Sequence, residues 1–225
     1  MEQIIFPDMP DHRVKAFFTG KRPGVDLERI SEISSVERGK IYLPMQRHTD
    51  RVVMVDGDLD AKIGDAVITR RNDIVIGVQA ADCVPVLLYD RVNRVAGAVH
   101  AGWRGTAAGI LKLTIEAMSE RFFSSPSNIT VAIGPGIRWC CYNVGHEVIE
   151  AVRKATGEGD YYKNKGDIYY LDLQSSNSYQ ALGMGVPQEN IWLSGECTYC
   201  LPEKYYSYRF AKGSTGRQGG FIRLL

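Results

Sequence analysis

The sequence predicts an α/β protein folded as one domain, on three observations. Short β-branched runs separated by turn residues fill the first half, whereas apolar residues at helical spacing begin near Thr106 and return after His146 and Asp172. No stretch of the 225 residues has a linker's composition, and the length suits one large domain. The run from Val78 to Leu113 reads as strand, turn, strand, glycine-rich turn and helix, and the rest of the chain is organised around it.

The elements follow in order. A strand over residues 14–19 leads into the basic loop Gly20-Lys21-Arg22-Pro23-Gly24, a helix over 26–36 and an extended run over 41–45 that reaches His48. Strands are expected over 52–55, 65–69 and 74–79, with Arg71-Asn72-Asp73 as the turn between the last two. Residues 84–89 and 95–100 suit a hairpin closed by Asp90-Arg91-Val92-Asn93. In that register Tyr89 faces Arg94, and counting back sets Cys83 opposite His100, with Cβ atoms about 5 Å apart on one face. A slip of one residue would move both to the other face. A helix over 106–122 carries Ile110, Leu113, Thr114, Ala117 and Met118, with Thr106 as its N-cap. Then come a strand over 129–133, a helix over 146–156, a loop rich in lysine, glycine and tyrosine, a helix over 172–182 and a strand over 191–194. Residues 205–210 and 221–225 are expected to close the fold as a hairpin across the glycines of 213–220.

Composition excludes several function classes. Twenty-seven basic and 26 acidic residues leave a formal charge of +1, so nothing pulls the whole chain toward nucleic acid or a lipid surface. No window approaches a membrane span and no charged segment precedes a long apolar run, so a cytoplasmic location is the expectation. Five cysteines, an odd number with two adjacent, argue for free thiols over a disulfide framework.

The chemistry gathers at few positions. Of the four histidines, His48 and His100 stand where loops leave strands, and with Cys83 they make a His₂Cys set, the ligands of a catalytic zinc site with a fourth position open. The competing reading is packed core residues, or a Cys83 nucleophile with His100 as its base. Asp82 is either a carboxylate that orients ligands and shuttles protons or a turn residue. Gly102-Trp103-Arg104-Gly105-Thr106 opens a helix, where free N–H groups and the Arg104 guanidinium suit a phosphate, unless the arginine is merely a surface residue. Trp103 either stacks on a substrate ring or packs. Ser207-Tyr208-Arg209 and Ser214-Thr215-Gly216-Arg217 bring hydroxyls and arginines that suit an anion or sugar. No second Cys-x-x-Cys completes a four-thiolate set with Cys197 and Cys200. These two, like Cys140 and Cys141, are expected to be packing thiols near the pocket. His12 and His146 have no companions.

Several motifs together resemble a known family: Gln46-Arg47-His48, Gly64-Asp65-Ala66-Val67-Ile68-Thr69, Ala81-Asp82-Cys83-Val84-Pro85, His100-Ala101-Gly102-Trp103-Arg104-Gly105-Thr106, Ile133-Gly134-Pro135, Cys140-Cys141-Tyr142-Asn143-Val144-Gly145, Cys197-Thr198-Tyr199-Cys200 and Ser207-Tyr208-Arg209. In this order, and over nearly the whole chain from residue 41, they look like the YfiH-like laccase-domain family. Its members were first described as polyphenol oxidases and later as multifunctional purine nucleoside phosphorylases. The resemblance implies a single domain with a mixed β-sheet core flanked by helices, similar to the deamidase domain of a bacterial cytotoxic factor. It implies zinc, with copper as a substitute, on His48, Cys83 and His100. It also implies phosphorolysis of adenosine, inosine, guanosine and methylthioadenosine, and deamination of adenosine. Catalytic candidates are then Cys83, His100 and Asp82, and substrate or phosphate candidates Arg104, Gln46 and Arg209. The expected partners are purine nucleosides and phosphate, with no nucleic acid or membrane, and the oligomeric state is left open. One departure stands out. The family's N-terminal Thr-Arg pair is replaced by Thr19-Gly20-Lys21-Arg22, so the pocket arginine is displaced and Lys21 or Arg22 becomes its candidate substitute.

Three rivals remain at this stage. A true laccase shares the His₂Cys set of blue copper, but four histidines in all cannot also build a copper cluster. A metal-free cysteine hydrolase or deamidase would use Cys83 and His100 alone. A binding module without catalysis leaves the convergence of two histidines and a cysteine unexplained.

Overall fold

The computed structural model, described for residues 3–9 and 11–225, stacks two β-sheets face to face and covers the outer side of each with helix. The strands are β1 (Ile4–Ile5), β2 (Val14–Thr19), β3 (Ile41–Tyr42), β4 (Val52–Met54), β5 (Ala66–Thr69), β6 (Val75–Ala80), β7 (Val84–Asp90), β8 (Val95–Ala101), β9 (Ile129–Ile133), β10 (Asn143–Val144), β11 (Tyr162–Lys165), β12 (Ile168–Leu171), β13 (Ile191–Leu193) and β14 (Gln218–Leu224). The helices are α1 (Leu27–Ser34), α2 (Trp103–Ala107), α3 (Ile110–Phe122), α4 (His146–Thr156), α5 (Leu173–Gly183) and α6 (Tyr208–Ala211). One large sheet runs β1-β2-β14-β6-β3, the other β13-β9-β7-β8-β5-β4, and β10-β12-β11 form a small third. Both large sheets are mixed, with β3 parallel to β6, β4 to β5 and β13 to β9. The mixed β-sheet core flanked by helices that the resemblance implies is thus present, built from two large sheets.

The layering follows from the two-residue period of the strands. On β7, Val84, Val86 and Leu88 face the helical side with Ile115, Met118, Ile149 and Ala181. Leu87 and Tyr89 point the other way and meet Phe18, Ile76, Val78 and Ile222 of the opposing sheet. A strand buried on both faces needs a continuous apolar run, which is what residues 84–89 supply. On the outer face of the five-stranded sheet, Phe17, Val75 and Phe221 pack against Ile30 of α1. That helix is started by Asp26, whose carboxylate accepts from the N–H groups of Glu28 and Arg29.

Four expectations are corrected by the structure. The β7–β8 turn begins one residue later, with Asp90 paired to Val95 and Pro85, rather than Cys83, opposite His100. The Asp90 carboxylate accepts from the N–H groups of Val92 and Asn93 and from the Asn93 amide, which makes Asp90 the start of the turn, and Arg94 closes it at φ 53°. The slip is two residues, so Cys83 and His100 keep a common face as diagonal neighbours.

The helix expected over 106–122 is broken into α2 and α3 at Ala108 and Gly109, the glycine at φ 74°. Thr106 is no cap. It is buried inside α2, where its hydroxyl accepts from the Asn177 amide and its carbonyl from Gln180.

The tyrosine-rich stretch after α4 forms the β11–β12 hairpin instead of a loop. The closing hairpin is absent as well: Ser207 caps the short helix α6 by accepting from Phe210 N–H, and β14 inserts between β2 and β6. Gly220 permits that insertion, because a Cβ there would stand 2.9 Å from the Phe18 ring. No helix among the described residues is long and apolar enough to cross a membrane.

Candidate active site

The chain passes from the five-stranded sheet to the six-stranded one in the three residues between β6 and β7, Ala81, Asp82 and Cys83. So sharp a crossing holds Asp82 at φ 83°, a conformation costly for a non-glycine residue and kept only where surroundings over-determine it. Here they do. One Asp82 oxygen accepts from the Thr198 hydroxyl at 2.7 Å, the other from the Arg209 N–H at 2.7 Å, and the Asp82 carbonyl accepts from Ile137 N–H. Cys83 is thereby held at the edge where the two sheets part.

His100 stands one residue from the end of β8 on the same face. Its Nδ1 meets the Asp65 carboxylate at 2.8 Å, and its backbone N–H donates to the Asp65 carbonyl. Asp65 is fully buried, just before β5, and also accepts from the N–H groups of Arg47, His48 and Thr49 and from the Thr49 hydroxyl. One carboxylate thus orients His100 and folds the loop that carries His48, itself at φ 57°. With Nδ1 committed to Asp65, the ring keeps Nε2 for a ligand. Sequence reading proposed Asp82 for this orienting task, and the geometry gives it to Asp65. An aspartate opening a strand carries no local mark of a bond to a histidine on the neighbouring strand.

The three donors converge. Cys83 Sγ lies 3.9 Å from His48 Nε2, the two imidazole rings are 5.0 Å apart and inclined at 67°, and one ligand atom from each of His48, Cys83 and His100 falls within 4.8 Å of the others. A tetrahedral ion with bonds of about 2.0–2.1 Å to nitrogen and about 2.3 Å to sulfur asks for a sulfur–nitrogen gap of about 3.6 Å, so the set fits one metal ion. Gly102 makes room for it: a Cβ there would lie 2.8 Å from Cys83 Sγ and 3.3 Å from His48 Cδ2.

Electrostatics reinforce the grouping. Burial pushes the Cys83 thiol up, but His100 and His48 outweigh it and bring the pKa down to about 6. Burial would lower His100, yet the facing Cys83 and Asp65 raise it to about 9. For Asp65, burial is again the opposing influence, and the hydrogen bonds from His100, Thr49 and Arg47 hold it well below the usual carboxylate range.

His48, Cys83 and His100 floor a cavity of about 890 Å³ whose walls include Trp103, Tyr142 and four arginines, Arg47, Arg104, Arg209 and Arg217. None of the four is in an ion pair with a carboxylate among the described residues. Arg104 lies over the Trp103 ring at 4.4 Å, and Arg209 over Tyr142 at 5.2 Å while donating to the Asn143 carbonyl and amide oxygens. Because α2 is a single turn, the arginines rather than a helix dipole supply the positive charge. Gln46 borders the cavity, but its amide is spent on both backbone groups of Gln79, which fastens the His48 loop to β6. Lys21 packs over Tyr206 outside the cavity wall. Arg22 is likewise not in that wall, whereas Arg217 is.

Of the other predicted positions, His146 lies beside Glu150 and meets the Tyr169 ring edge-on, and His12 is exposed, so neither joins the site. Cys140, Cys141, Cys197 and Cys200, expected as separate packing thiols, instead form a second cluster with all sulfurs within 4.8 Å.

Over residues 25–225 the chain matches the family described as multi-copper polyphenol oxidoreductase laccase. It is 41% identical over 181 residues to a purine nucleoside phosphorylase of Clostridium acetobutylicum, covering 79% of this chain and 74% of that protein. It is 34% identical to adenosine deaminase RL5 from an unknown prokaryotic organism, covering 81% of this chain and 74% of the relative. The crystal structure of YlmD from Geobacillus stearothermophilus superposes with a TM-score of 0.87 at 28% identity over 98% of both chains.

Proposed function

Because this chain belongs to the family described as multi-copper polyphenol oxidoreductase laccase, and relatives in it are named purine nucleoside phosphorylase and adenosine deaminase, we propose that it is a purine nucleoside phosphorylase that also deaminates adenosine, with zinc as its metal. One observation carries the reading. A His₂Cys donor set floors a cavity whose rim holds four arginines with no carboxylate partner among the described residues. The volume suits a nucleoside. Zinc held by His48, Cys83 and His100 would supply Lewis acidity at the floor of the cavity.

The chain's own groups do the rest. Trp103 and Tyr142 offer aromatic faces for a purine ring. Arg104, Arg209 and Arg217 hold phosphate by charge-assisted hydrogen bonds, and Arg217 takes the place of the displaced N-terminal arginine. In phosphorolysis a phosphate oxygen bonds to ribose C1′, the bond from C1′ to the purine nitrogen breaks, and its electron pair leaves with the base. The arginines fix the phosphate for that displacement and balance its charge. Asp82, with both oxygens accepting hydrogen bonds, acts as a positioning residue for Arg209.

The multi-copper part of the family's description does not suit this donor set. Only two of the four histidines reach the site, and a copper cluster needs more imidazoles than that. A specific observation does favour one second reading, a metal-free hydrolase or deamidase: the Cys83 thiol is depressed to about 6 by its imidazole neighbours, as in a nucleophile and base pair.

The deciding experiment incubates the protein with adenosine, with and without phosphate, beside Cys83→Ala prepared identically. Purine base and ribose 1-phosphate only when phosphate is present, inosine in both reactions, and neither from the variant, are the expected result. No product from zinc-loaded wild type would overturn the assignment. Amide hydrolysis by chelated, metal-free protein would favour the cysteine reading.

A further inference from the structure

The parallel neighbours β9 and β13 end at the same edge of the six-stranded sheet, and the chain leaving each carries a pair of cysteines. A bridge between Gly136 and Cys197 continues the pairing past the strands, with Thr198 N–H donating to the Gly136 carbonyl. The first segment then turns at residues 138–142, where Cys141 and Tyr142 N–H groups donate to the Arg138 carbonyl. Arg138 pins this turn by donating to the buried Asp172 carboxylate at 2.8 and 3.0 Å and to the Gly195 carbonyl at 2.7 Å. The second segment turns through the Leu201 N–H bond to the Cys197 carbonyl.

These two turns bring four sulfurs together. Cys200 Sγ lies 3.1 Å from Cys141 Sγ and 3.5 Å from Cys140 Sγ, and every pair in the set is within 4.8 Å. A zinc–sulfur bond of about 2.3 Å gives a tetrathiolate edge of about 3.8 Å, the size of this cluster. Packing does not account for the convergence. Cysteine is ordinarily among the most buried residues, yet Cys140 and Cys200 are exposed. Disulfide formation does not account for it either, since one bridge would leave two more thiols crowded against it and adjacent cysteines bridge each other only with strain. All four are free.

We propose that Cys140, Cys141, Cys197 and Cys200 bind a second metal ion, a structural zinc, which clamps the turn after β9 to the segment after β13. The site is separate from the His48, Cys83 and His100 set and does not depend on the reaction assigned there. Its place in the fold gives it a task. Tyr142, next to Cys141, forms part of the cavity wall, and Thr198, inside the Cys197–Cys200 turn, holds the Asp82 carboxylate that in turn holds Arg209. The clamp therefore joins two parts of the cavity wall that the chain itself leaves far apart in sequence.

The test is metal analysis of the full chain and of His48→Ala/Cys83→Ala, which removes the other donor set. Zinc remaining in that double variant, with an all-sulfur shell at about 2.3 Å by X-ray absorption, is the expected result. Adding Cys200→Ser to it should abolish the remaining metal. Wild type provides a check free of folding effects: p-hydroxymercuribenzoate, added with a colorimetric zinc indicator after the His₂Cys ion has been stripped by chelator, should release further zinc as the thiols react. A double variant without zinc whose remaining four thiols all react at once with Ellman's reagent would overturn the proposal. So would a Cys141–Cys200 or Cys197–Cys200 disulfide found by mass spectrometry in freshly purified wild type.

Discussion

Asp65 Oδ1 and His100 Nδ1 meet at 2.8 Å with the carboxylate wholly buried, and the same carboxylate gathers three backbone N–H groups of the His48 loop. Two ligands, one near the end of β8 and one in the loop between β3 and β4, are thus set by one side chain. Such a partner fixes tautomer and ring direction, and its loss costs metal affinity without removing a donor.

Asp65→Asn keeps the shape and removes the charge. Chelator competition should show metal affinity reduced about 10–100-fold, and metal-free protein should lose about 1–3 kcal/mol as buried donors go unsatisfied. The sign in pH follows from the depressed carboxyl. Its stabilisation is present above the unfolded value of about 3.9 and is lost as pH falls toward the lower folded value. Urea midpoints of wild type and variant should therefore differ constantly near neutrality and converge in acid.

Cys83 in chelated protein should react with iodoacetamide as a thiolate, with a half-maximal rate near pH 6, against about 8.5 for an ordinary thiol. His100→Ala should move that midpoint upward, and zinc should suppress the reaction in wild type. Because the thiol is lowered and the imidazole raised by similar amounts, the stability the thiolate loses as pH falls from about 9 to 6 is offset by what the imidazolium regains, and apo stability from this pair should change little over that range. A midpoint unmoved by His100→Ala would remove the electrostatic explanation.

Arg104→Ala should raise the KM for phosphate about 10-fold or more, the scale of one charge-assisted hydrogen bond, and leave adenosine deamination nearly intact. Equal loss of both activities would point to a role in folding the Trp103 wall instead.

Gly102→Ala inserts a methyl group 2.8 Å from Cys83 Sγ. Metal content and activity should fall together, while the folded state loses only about 1–3 kcal/mol from overpacking. Full zinc occupancy in this variant would show that the turn relaxes and that the space is not needed.

Much of the fold was legible locally. Helix α4 spans the residues its apolar spacing marks out, and α1 and α5 begin one residue after the aspartates that cap them, because period and capping are properties of neighbouring residues. The common face of Cys83 and His100 was also legible, since strand parity survives a slip of two residues. Residues 205–210 were misread as strand because their conformation is set from outside, by Asp82 accepting the Arg209 N–H and by Ser207 capping α6.

By itself, then, the amino-acid order determined the class of fold, most of its elements, and the His48, Cys83 and His100 donor types with their strand-end positions. Tertiary structure alone decided that there are two large sheets, that Asp65 rather than Asp82 orients His100, and that Cys140 and Cys141 meet Cys197 and Cys200. The physical reason is common to all three. Each depends on which strands become neighbours, β5 beside β8 for Asp65 and His100 and β13 beside β9 for the cysteines, pairings selected by burial over the whole core and written in no single stretch of chain.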